Sequence, residues 1–176
     1  MITRHPTRQR GGATTVEFAF VAILLFLMLF AIFEYGRFLF MYHVTTNAAR
    51  DAARFAVVHT NGGTMPGEPA TITVDDVKEV WRSGQFNGQT YGTGMCGMEN
   101  HIVGYTIDVY AVPDADLYAT PQDLDPAGKP AWNSAGFHQQ IAVRISGTYK
   151  PVIPTLLRMN SDVTFTVVVL MSSEAN

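Results

Sequence analysis

The stretch that decides the fold is "GATTVEFAFVAILLFLMLFAIFEYGRFLF", residues 12–40. From Phe18 to Phe33 it carries no charge. An α-helix needs about 20 apolar residues to cross a bilayer, and the run gains that length by continuing through "EYGRFLFMY". There Glu34 and Arg37 stand three residues apart, a spacing that lets them pair on one helix face. No small-x-small cleavage pattern follows the apolar run, so an ordinary secretory signal is not expected.

Beyond Tyr42 the pattern becomes amphipathic. Met41, Val44, Ala48, Ala52, Phe55 and Val58 recur at spacings of three and four, as a core-facing stripe does. His43, Asn47, Arg50 and Arg54 form the opposite polar stripe. No proline occurs between Pro6 and Pro66, and "NGG" at residues 61–63 is a stop signal. One helix is therefore expected from about Ala13 to about His59, transmembrane to about residue 40. At 1.5 Å per residue it is roughly 70 Å long, more than twice the hydrocarbon thickness. Such a helix has two tasks, the first half in lipid and the second on a soluble domain. Arg4, Arg8 and Arg10 precede the span, which keeps the N-terminus cytoplasmic by the positive-inside tendency. The domain that follows is then extracytoplasmic.

The totals agree with one such domain plus an anchor. The chain has 176 residues, 47% hydrophobic and 15% charged. Without the first twelve residues and their three arginines the net charge moves from −3 to −6. An acidic body of that kind is a poor binder of phosphate backbones, so no nucleic-acid partner is expected. The one cysteine, Cys96, allows no intrachain disulfide.

From residue 61 the composition shifts to Gly, Pro, Thr and Asp. "TVDDVKEVWRSG", residues 73–84, reads as a short helix capped by Thr73 and Asp76 and closed by Gly84. Residues 85–101 are glycine-rich and read as a loop. Three segments then alternate with period two. Val103, Tyr105, Ile107, Val109 and Ala111 share one face, as do Ile141, Val143 and Ile145, and Val163, Phe165, Val167 and Val169. They predict a small antiparallel sheet, one face of which the Met41–Val58 stripe covers. The expected class is α+β: residues 1–12 a leader, 13–60 the long helix, 61–176 the outer domain.

Recognisable chemistry is sparse. Gly92, Gly94 and Gly97 satisfy G-x-G-x-x-G, but a strand follows where a dinucleotide site needs a helix. Cys96 and His101 have no third ligand nearby, and no serine sits in a nucleophile elbow. Asp114, Asp116, Asp123 and Asp125 lie in the long connection 113–137, where solvated loop acids are favoured over a hard-cation site. His43, His59 and His138 show no catalytic spacing. A non-enzymatic protein with no metal and no cofactor is expected. Arg50 and Arg54, like charges one turn apart, read as a solvated face or as an intersubunit contact.

Glu17 has two readings. In one it is a helix-start carboxylate at the membrane surface. In the other, the cost of an ionised group near lipid marks it as functional and demands a partner. A cut after Gly12 would free an amino group on Ala13 that answers it.

That arrangement of basic leader, Gly12, Ala13, Glu17 and Phe18 resembles class III prepilin signals. With "FEYGRFLF", "TNAARDAARFAVV" and the late "YKPVIPTLL", the chain is similar to the TadE-like minor pilins of tight-adherence (Flp-type) pilus systems. The resemblance covers residues 10–60 closely and 140–176 more loosely. Mainline type IV pilins usually begin with phenylalanine where this chain has Ala13, which separates it from major pilins. The family implies cleavage by a prepilin peptidase between Gly12 and Ala13, and a role for Glu17 in registering one subunit against the next. It also implies an inner-membrane start, partnership with other pilins including a second minor pilin, and a part in pilus assembly, initiation or adherence. The competing expectation is an unprocessed single-pass inner-membrane protein whose outer domain binds a ligand or partner.

Overall fold

The computed structural model describes residues 11–60, 71–113, 125–152, 154 and 161–173. Its elements are helix α1 (Gly11–Val58), helix α2 (Val74–Ser83), strands β1 (Gln85–Phe86) and β2 (Gln89–Thr90), and strands β3 (Ile102–Val112), β4 (Gln140–Tyr149) and β5 (Val163–Ser172). The last three form an antiparallel sheet in the order β3-β4-β5. This is the α+β arrangement read from the two periodicities.

Helix α1 lies across β4 and β5 and is flanked by α2. Five alanines, Ala48, Ala49, Ala52, Ala53 and Ala56, are fully buried along it, so backbone and sheet approach closely. Met41 and Phe55 are the large residues of the same face. The covered face is wider than one stripe because α1 is packed from two sides. Of the expected stripe, Val58 is exposed and Val44 half-buried, while Val57 turns inward. His43, Asn47, Arg50 and Arg54 face outward together.

Helix α2 starts where the Asp76 carboxylate accepts bonds from the Thr73 backbone N–H (2.7 Å) and hydroxyl (2.8 Å). It ends at Gly84, whose φ of 73° only glycine adopts without strain. Val77, Val80 and Trp81 pack inward.

Residues 85–90 are not loop but a hairpin. Asn87 and Gly88 both have positive φ, which is the turn that a two-residue connection requires. Strand β3 carries an irregularity between Val103 and Thr106, with Gly104 at φ 60°. The extra residue breaks the alternation, so Val103 and Tyr105 face outward and Ile102 replaces them in the core. Ile107, Val109 and Ala111 stay on the core face.

The glycine motif also finds its role here. A Cβ on Gly92 would overlap the Asp51 side chain, and one on Gly94 (φ 59°) would overlap the backbone of Gly84. The Asp51 carboxylate accepts the Thr93 N–H at 3.3 Å. These glycines let the 91–95 turn close on both helices. Gly94→Ala is expected to cost about 1–3 kcal/mol, read as a lower melting temperature of the full-length protein in detergent.

The described end of the long connection is anchored. Pro130 accepts the Ala111 N–H at 3.0 Å, Ala131 bridges Tyr110, and Trp132 and Ala135 are buried. Asp125 accepts the Ala127 N–H and so shapes a turn. Asp114, Asp116 and Asp123 lie outside the described residues.

Candidate functional site

Two features of α1 stand apart from ordinary packing. The first is its bare half. From Thr14 to Phe33 the apolar side chains are exposed or only partly covered, with Phe18 at 72% and none of the large ones buried. These residues span about 30 Å at 1.5 Å each, which matches a hydrocarbon core of about 30 Å. Glu17 is exposed near the start of this half, and no described residue answers its charge. Gly12 is exposed.

The second feature is a polar clamp where the bare half ends. Glu34 is only 6% exposed, and one carboxylate oxygen takes three donors. They are the Tyr149 hydroxyl at 2.6 Å, the Arg37 guanidinium at 2.9 Å and the Val152 N–H at 3.2 Å. Arg37, 31% exposed, donates in turn to the Tyr149 hydroxyl at 2.7 Å and the Lys150 carbonyl at 3.4 Å. Its guanidinium carbon lies 5.2 Å from the Tyr149 ring centre, and Phe38 packs edge-on against the same ring at 5.4 Å. Glu34 and Arg37 thus tie the helix to the end of β4 in their own chain. The outer domain's footprint reaches down to Glu34, below the boundary near residue 40 that the sequence predicts.

Burial pushes the Tyr149 hydroxyl up to about 12, and the bond it donates to Glu34 acts in the same direction. At neutral pH it is therefore a firm donor. A raised folded value adds stability that is whole below the ordinary value of about 10 and lost as pH rises through about 12. Melting profiles between pH 9 and 12 should fall more steeply for the native chain than for Tyr149→Phe.

The remaining candidates separate. Arg50 and Arg54 are exposed; among the described residues Arg50 reaches Asn47, at 3.5 Å. Cys96 is exposed and donates to the Thr93 carbonyl. No group of three metal-ligating side chains exists among the described residues. Tyr149 and Val152 escaped sequence reasoning, because nothing local links them to a residue more than a hundred positions earlier. The "YKPV" segment had carried the resemblance without any stated contact.

Fold and site define a class: an α+β protein with one N-terminal helix long and apolar enough to cross a membrane, its apolar window wholly uncovered. More narrowly, residues 12–54 match the family model of TadE-like proteins. The match begins at the glycine and ends at Arg54, leaving the sheet outside it. No curated protein and no solved structure matches the chain.

Proposed function

We propose that this protein is a minor pilin of a Tad/Flp-type pilus. It is inserted with its N-terminus in the cytoplasm, trimmed after Gly12 by a prepilin peptidase, and drawn into or onto the filament by the bare half of α1. The carrying observation is the uncovered helix with Glu17 near its start, which no described residue answers. Within a bundle that surface exchanges lipid for other pilin helices, including those of a second minor pilin. Lipid is already apolar, so the exchange is driven by packing and polar pairing, and Glu17 with the amine of Ala13 is such a pair.

Intact mass of the protein from membranes, with and without a cognate prepilin peptidase, tests this. Loss of residues 1–12 only when the peptidase is present is the expected result. A full-length chain in both samples would leave an unprocessed single-pass protein instead. One observation favours that second reading: a cleft of about 260 Å³ between α2 and β3, floored by Trp81 and Tyr105 and edged by Asp75, Lys78, Glu79 and Arg82. Its charges are already paired, Lys78 with Asp75 and Arg82 with Glu79, which leaves little for a ligand.

A further inference from the structure

Where β4 ends, the chain descends along α1 toward the bare half. The Lys150 carbonyl meets Arg37, and two residues on the Val152 N–H meets Glu34, nearly one turn lower on the helix. Val152 therefore sits level with Glu34, one residue above the uncovered apolar run. Its side chain is 66% exposed, while Pro151 beside it is buried and holds the turn in place. Lys150 is exposed at the same level. On the helix, Phe33, Tyr35 and Phe40 are exposed at and just above this height.

We propose that the turn Lys150–Val152 is a second membrane contact, which seats the outer domain on the lipid surface beside its own anchor. The inference rests on residues 14–33 being the membrane span. With that span in lipid, the level of Glu34 falls at the edge of the hydrocarbon core, where exposed apolar and aromatic groups partition favourably. Val152 enters the acyl boundary there, Tyr35 and Phe40 sit among headgroups, and Lys150 reaches the phosphates with its charge while its stem stays apolar. The carboxylate that occupies this level is the one whose oxygen is fully engaged by donors, as burial near lipid demands. Lipid is the occupant because the exposed patch is continuous with the span and shares its height.

The test uses the full-length protein with Cys96→Ser, labelled with an environment-sensitive fluorophore at Leu25→Cys, Val152→Cys or Phe137→Cys. It is reconstituted in phosphatidylcholine–phosphatidylglycerol vesicles whose acyl chains are brominated. Phe137 is an exposed apolar residue at the far end of the sheet, beside the His138–Ser173 bond. Quenching at positions 25 and 152 and none at 137 is expected. Quenching at 25 alone overturns the inference and leaves the span intact. Quenching at none of the three removes the span reading as well, and quenching at all three, the far end included, shows that the dye itself partitions and overturns the contact.

Discussion

Glu17→Ala is expected to leave the proposed minor pilin in the inner membrane and to deplete it from the pilus. Insertion is set by the apolar run and the flanking arginines, neither of which the change touches. Assembly differs, because apolar contacts between helices gain little over contacts with lipid. A polar pair in that setting contributes about 1–2 kcal/mol, so its loss lowers incorporation about tenfold for each contact formed. Glu17→Gln retains a hydrogen-bond acceptor without the charge and should fall between the two. Sheared surface material against inner-membrane fractions reads the effect. Normal amounts of the alanine variant in sheared filaments would remove Glu17 from the assembly step.

Glu34→Ala has the largest expected effect on the folded state. It strips the acceptor from the Tyr149 hydroxyl, the Val152 N–H and one nitrogen of Arg37. Breaking a fully buried ion pair costs about 3–5 kcal/mol; because Arg37 keeps 31% of its side chain in solvent, about 2–3 kcal/mol is expected here. That corresponds to a fall in melting temperature of roughly 4–12 °C for a chain of this size. Tyr149→Phe removes one donor and leaves the ion pair, so its cost is smaller. If Glu34→Ala and Tyr149→Phe destabilise equally, the charge contributes nothing and the clamp is only a hydrogen bond.

The parts of the fold that sequence reveals are those with an uninterrupted period. The anchor, the polar stripe of α1 and strands β4 and β5 follow directly, because each residue's partner face repeats every two or every three to four positions. Reading fails where one residue interrupts the period. Gly104 shifts β3 and turns Val103 and Tyr105 outward, and Asn87-Gly88, a recognised hairpin signal, was hidden among other glycines. The site divides in the same way. Glu17 announces itself as an acid beside the apolar run, and the local spacing of Glu34 and Arg37 already allows their pairing. What Glu34 and Arg37 then grasp, Tyr149 and the turn after it, is fixed only by how β4 runs back to the start of the bare half of α1. The covering of α1 by α2 as well as by the sheet is likewise a tertiary outcome, which is why Val57 rather than Val58 points inward.

Helix α1 runs without a break from Gly11 to Val58, and Glu34 and Arg37 bolt the sheet to it at the point where the bare half begins. A hinge at that point would let the outer domain swivel and absorb tension as slack. With the joint locked, a pull or twist applied to the bare half arrives at the sheet as a rigid-body displacement. Such a molecule is in effect a stiff lever with its fulcrum at the Glu34–Arg37 clamp, and in the proposed filament load would pass through its backbone hydrogen bonds in series.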